Sequence, residues 1–222
     1  MATGVAVLLL AVARVAVLET FTVTSESMRP TLSPGDRLVV LKTTEVTAGD
    51  VVVFDGTRLL GPGPAAAGGP RAVVDRLFGV DPATAYVKRV IGLPGDRVVC
   101  CSEDGRIVRN GEPLSESYVT GPTDGVEFDV TVPPERYWVM GDNRADSADS
   151  RSALGRPGGG MLRADDIVGE AVWRYWPLGD RGALSSTGPH DAAAARTPTP
   201  AVGDIGNTAG EFLPPQPKES AP

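Results

Sequence analysis

Short runs rich in valine and isoleucine recur along the middle of the chain, each closed by Gly, Pro or Asp. They are "RLVVL" (37–41), "DVVVF" (50–54), "YVKRVIG" (86–92), "DRVVCC" (96–101), "RIVRNG" (106–111), "VEFDVTV" (126–132), "RYWVMG" (136–141) and "DIVGEAVWRYW" (166–176). Runs of this length and composition predict strands. The punctuation "SPGD", "TAGD", "LPGD" and "MGDN" predicts turns, and "SEDG" and "RNGE" are hairpin signals. The expected fold is mainly β, an antiparallel sheet or barrel-like domain over residues 21–178.

Other segments break this pattern. Residues 4–18, "GVAVLLLAVARVAVL", are apolar apart from Arg14. A membrane-spanning helix needs about 20 apolar residues. Three readings fit so short a stretch: an anchor with Arg14 snorkelling to the interface, a signal peptide with "AVA" (11–13) as a small-residue cleavage site, or a buried helix. The signal-peptide reading lacks a basic region ahead of the apolar run. Within an insertion at 57–84, "GPGPAAAGGP" (61–70) reads as a loop. "RAVVDRLFGV" (71–80) reads as a short helix, with Val73, Val74, Leu77 and Phe78 on one face. From Gly179 to residue 222 the chain is Ala, Pro, Thr, Gly and Ser with few large apolar residues, the composition of a disordered tail.

Composition narrows the function. Of 222 residues 41% are hydrophobic, enough for a core, and the net charge of -7 argues against a nucleic-acid partner. There is one histidine, His190, and it lies in the tail-like region. Chemistry built on a Ser-His-Asp triad, a Cys-His pair or a histidine zinc site is thereby excluded, and no metal or cofactor is expected. The two cysteines, Cys100 and Cys101, are adjacent. A strand would turn them to opposite faces, and the simplest reading is two small apolar residues rather than a bridged pair.

Without histidine, a serine can be activated by a neutral lysine amine. A lysine at its reference pKa is neutral in roughly one molecule in 2,500 at pH 7, a cost of about 4.6 kcal/mol that burial can largely remove. The lysines are Lys42, Lys88 and Lys218. Lys218 is in the tail, and Lys42 ends a strand beside "TTE" in a polar setting. Lys88 alone lies within an apolar strand. Alternation groups Tyr86, Lys88 and Val90 on one face. By pattern alone Lys88 also fits an exposed strand lysine whose head reaches water.

Four blocks, in order, give Lys88 a context. "SESMRPTL" (25–32), "GDVVVF" (49–54), "YVKRVIGLPGD" (86–96) and "MGDNRADSADSR" (140–151) resemble the nucleophile, structural-strand, lysine and polar blocks of the bacterial type I signal peptidases, Ser-Lys serine proteases. The resemblance spans about Phe21 to Pro177. The vicinal cysteines and the insertion before the lysine block are similar to actinobacterial members.

The resemblance implies roles. Ser27 would be the nucleophile and Lys88 the general base. Ser25 would complete an oxyanion hole with the backbone N–H of Ser27. Ser147 would orient the lysine, while Arg89, Asp142, Asp149 and Arg151 would form a supporting charge network. Val23, Met28, Leu32, Tyr86 and Val87 would wall a shallow pocket for small residues at the -1 and -3 positions of a preprotein. The peptide would lie extended beside strands 21–24 and 85–88. Residues 1–20 would be a single-pass anchor, with a monomeric catalytic domain on the extracytoplasmic side of a lipid membrane. Ser27 stands nine residues beyond Leu18, which keeps it within about 30 Å of the bilayer.

This chain departs from the family pattern in its short apolar segment, in Thr24 where proline is usual, and in Ala145 where an acidic residue is usual. Two other readings compete. A self-cleaving repressor-type protease would share the dyad but needs a DNA-binding domain where this chain has 24 mostly apolar residues. An inactive membrane-anchored binding protein would have no need of both dyad residues and Ser147.

Overall fold

The computed structural model describes residues 17–42, 45–61, 84–119, 121–123 and 125–184. Among the described residues, twelve strands form two antiparallel sheets. The larger contains β1 (Leu18–Thr22), β2 (Arg37–Leu41), β3 (Val51–Asp55), β4 (Ala85–Gly92), β9 (Arg136–Met140), β10 (Leu162–Arg163), β11 (Ile167–Trp176) and β12 (Gly182–Ala183). Its order is β1-β2-β11-β3-β4-β9-β10, with β12 also against β11. The smaller sheet has the order β7-β6-β5-β8, from β5 (Arg97–Cys100), β6 (Ile107–Arg109), β7 (Glu112–Pro113) and β8 (Phe128–Thr131). One helical turn, α1 (Thr57–Leu60), follows β3.

The apolar run of β3 is continuous because both of its faces are covered. Val51 and Val53 enter a cluster with Val23, Met28, Leu32, Leu38, Val40, Val87 and Ala171. Val52 and Phe54 enter another with Leu59, Val90, Val139, Ala153 and Leu162. A third cluster joins the two sheets. In it Trp138 packs on Phe128 with ring centroids 4.8 Å apart. Gly92 marks a close approach there, since a Cβ on it would lie 2.6 Å from a Val98 methyl. Both hairpin signals form turns in the smaller sheet. The β6–β7 turn carries positive φ at Asn110 (54°) and Gly111 (89°), as a two-residue type I′ connection requires.

Three features differ from the sequence pattern. Strand β1 begins at Leu18, so residues 18–20 pair with β2 (Leu18↔Leu41, Thr20↔Val39) and belong to the sheet. At the other end β12 pairs with Trp173–Arg174, carrying the sheet past residue 178. Cys100 and Cys101 are joined by a disulfide. Strand β5 ends at Cys100, so the alternation that would separate the two side chains does not extend to Cys101. No helix among the described residues is long and apolar enough to cross a membrane. Residues 4–16, the helix expected at 71–80 and residues 185–222 lie outside the described residues.

Candidate active site

Ser27 sits in the turn that follows β1. Val23 N–H donates to Asp36 O (2.8 Å), and Leu32 N–H donates to Met28 O (2.9 Å), closing that turn. The buried side chains of Met28 and Leu32 anchor it to the core. From the far side, Asn143 N–H donates to Ser27 O (3.0 Å), and Asn143 Nδ2 donates to Glu26 O (3.3 Å). The Ser27 turn is thus stapled to the loop after β9.

Lys88 enters from the middle of β4, where its backbone is paired with Val52. Its Nζ lies 2.5 Å from Ser27 Oγ and also donates to Val87 O (3.0 Å). Lys88 is 2% exposed and Ser27 6%. Burial pulls the lysine pKa down from 10.5 to about 8, while the carboxylates of Asp149 and Asp142 oppose the shift. About a tenth of the molecules then hold a neutral amine at pH 7, roughly 250-fold more than for an unperturbed lysine. Ser25 Oγ lies 3.1 Å from Ser27 Oγ, on the exposed side.

The charged residues form buried pairs around this centre. Arg89 clasps Asp142 through Nε (2.9 Å) and Nη2 (2.7 Å), and donates to Gly49 O (2.7 Å). Thr31, four residues after the serine, donates to the same carboxylate (2.5 Å). A chain of bonds therefore ties the Ser27 turn to the residue next to Lys88. Arg151 clasps Asp149 (3.0 and 2.9 Å), whose carboxylate also accepts from Gly141 N–H (3.0 Å). Arg144 pairs with Glu116, and Tyr118 donates to Glu116 (2.7 Å) while its ring lies 3.8 Å beneath the Arg89 guanidinium. Burial, reinforced by Glu116, raises the Tyr118 pKa and keeps the phenol protonated.

Two expected positions differ. Ser147 comes to the site, but its Oγ is buried without a hydrogen-bond partner and does not bond to Lys88. Of the five expected pocket residues, Val23, Met28, Leu32 and Val87 share one buried cluster. Tyr86 does not join them. Strand alternation turns its ring onto Phe54 in the cluster of Val52 and Leu59, centroids 6.1 Å apart, and over Gly56.

Some residues at the centre carried no local signal. Gly141 is one: a Cβ there would lie 2.3 Å from Ser147 Oγ and 2.5 Å from the Ser27 carbonyl oxygen. The backbone must pass between the two serines, and only glycine fits. "MGDN" signals a turn, but nothing in it announces that approach. Glu116 and Tyr118 stand far from the four blocks, and only folding brings them to Arg144 and Arg89. Among the described residues, no group of three or more His, Cys, Asp or Glu converges as a metal set would.

Comparison with known proteins points to the same family. The family model "Signal peptidase, peptidase S26" matches residues 1–176. A signal peptidase I from Leptolyngbya laminosa is 35% identical over 82% of this chain and 80% of its own length. A probable signal peptidase I-1 from Synechocystis is 36% identical over 82% of this chain and 83% of its own. Signal peptidase I of Mycobacterium tuberculosis is 35% identical over 76% of this chain and 68% of its own. The chain belongs to the signal peptidase family, peptidase S26, and with it to the serine endopeptidases.

Proposed function

We propose that this protein removes signal peptides from secretory preproteins with Ser27 as nucleophile and Lys88 as general base. The observation that carries the reading is a buried lysine amine, with a lowered pKa, 2.5 Å from a serine hydroxyl. In its neutral form Lys88 takes the Ser27 proton as Oγ attacks the scissile carbonyl. The resulting ammonium returns that proton to the leaving amine, and water then hydrolyses the acyl-enzyme. The Ser25 hydroxyl and the Ser27 backbone N–H stabilise the developing oxyanion, where one such donor is worth about 3–4 kcal/mol.

Specificity for small residues at -1 and -3 follows from close packing. Val23, Met28, Leu32 and Val87 are at most 4% exposed, so their close packing leaves no room among them for a large side chain. An extended peptide has free backbone to pair with. Strand β1 is a sheet edge, and β9 pairs only with Arg89–Gly92 of β4, so Ala85–Lys88 have no strand on that side among the described residues. The apolar segment ahead of β1 anchors a monomeric catalytic domain on the extracytoplasmic face of the membrane, where preproteins emerge. Asp142 and Arg89 hold Lys88 and the Ser27 turn in register. Asp149 and Arg151 fix Gly141.

Cleavage of a preprotein with alanine at -1 and -3 will rise between pH 7 and 9 and level off with an apparent pKa near 8, because the neutral lysine is the active form. A rate flat across that range, or equal cleavage with phenylalanine at -1, sinks the reading. Gly141→Ala will lower kcat about a hundredfold, since its methyl must displace the Ser27 backbone or Ser147. Single-turnover cleavage by the folded variant checks this.

A further inference from the structure

At the β9–β10 edge of the large sheet, two arginines stand side by side. Arg136 is the register partner of Arg163, so their side chains leave the sheet as neighbours. Like charges directly opposite each other destabilise an antiparallel pair. Both line a cavity of about 260 Å³ that also includes Arg58 and, as its one carboxylate, Asp166. That carboxylate is already paired with Arg58. Arg163 bonds at 3.2 Å to Asp165, which is 78% exposed on the rim. Neither acid pairs with Arg136. In a chain of net charge -7, this concentration of guanidinium groups runs against the overall balance. Leu59, Ala153 and Met161 supply an apolar floor. No lining residue belongs to the Ser27–Lys88 site.

We propose that this cavity binds a phosphate group, carried either by a soluble compound or by an anionic lipid headgroup. Guanidinium forks match phosphate oxygens in geometry and charge, and a phosphate between Arg136 and Arg163 turns a repulsive pair into two charge-assisted contacts. The volume suits a small polar group with a short apolar extension, not a peptide.

The test uses the full chain in neutral detergent and in nanodiscs. Inorganic phosphate, against sodium chloride of equal ionic strength, will raise Tm saturably, by about 5 °C at a hundredfold excess over Kd. Arg136→Gln will abolish that rise. In chloride alone it will leave Tm unchanged or about 1 °C higher, because it removes the like-charge contact. A residue with a merely structural role would lower Tm instead. In the second arm, nanodiscs containing phosphatidylglycerol are compared with nanodiscs of phosphatidylcholine alone. Arg136-dependent stabilisation by phosphatidylglycerol assigns the site to a lipid headgroup. Stabilisation by free phosphate without it assigns the site to a soluble ligand. The proposal is overturned if neither probe stabilises beyond its control, or if Arg136→Gln responds as the wild type does.

Discussion

Replacing Ser27 or Lys88 by alanine will lower preprotein cleavage by about 10⁴-fold or more, with the fold retained. In the proposed mechanism the two groups act on one proton, so the double variant will be no slower than either single one. Ser27→Ala removes the attacking atom. Lys88→Ala leaves the hydroxyl in place without a base, in a chain whose one histidine lies outside the catalytic region. Lys88→Arg will be as inactive as Lys88→Ala, since a guanidinium does not deprotonate near neutral pH. Rates from single-turnover cleavage, with circular dichroism of each variant, decide the matter. An additive double variant would break the dyad.

Lys88 also links pH to stability. Its pKa falls from 10.5 unfolded to about 8 folded, so the unfolded chain binds more protons between those values. Stability contributed by this group therefore rises from about pH 8 to about pH 10.5 and is lost as pH falls through 8. The full difference is about 3 kcal/mol. Lys88→Met, which keeps the stem and removes the amine, will be more stable than the wild type at pH 7, and the gap will close above pH 10. The native lysine is thus held at a cost in stability, which fits the proposed role of general base.

The second large effect is on the scaffold. Asp142→Asn will destabilise the protein by about 3–5 kcal/mol, because the Arg89 guanidinium, 1% exposed, loses its countercharge inside the fold. For a domain of this size that is a fall in Tm of about 6–20 °C. Cleavage will fall too, since Thr31 loses its carboxylate partner and the Ser27 turn its tie to β4. The double variant Arg89→Met with Asp142→Leu will regain most of the stability but not the activity, because apolar packing can replace a buried pair but cannot position the serine. Thermal melts of the three proteins measure this. A loss below 1 kcal/mol in Asp142→Asn would show that the pair is solvated.

Much of this was legible in the sequence. Apolar runs with Gly, Pro and Asp between them located the strands, because alternation and turn chemistry are local. The scarcity of histidine directed attention to lysine, and Lys88 alone stood in an apolar strand. The order of four motifs named the family. Tertiary structure decided the rest, because the deciding distances join residues remote in sequence. Ser27 and Lys88 are 61 positions apart, and their separation of 2.5 Å depends on the pairing of β3 with β4 and on the Thr31–Asp142–Arg89 tie. Which way Tyr86 turns, why residue 141 has no side chain and which acid meets which arginine follow from packing. No single strand encodes them, since each depends on what lies across the sheet.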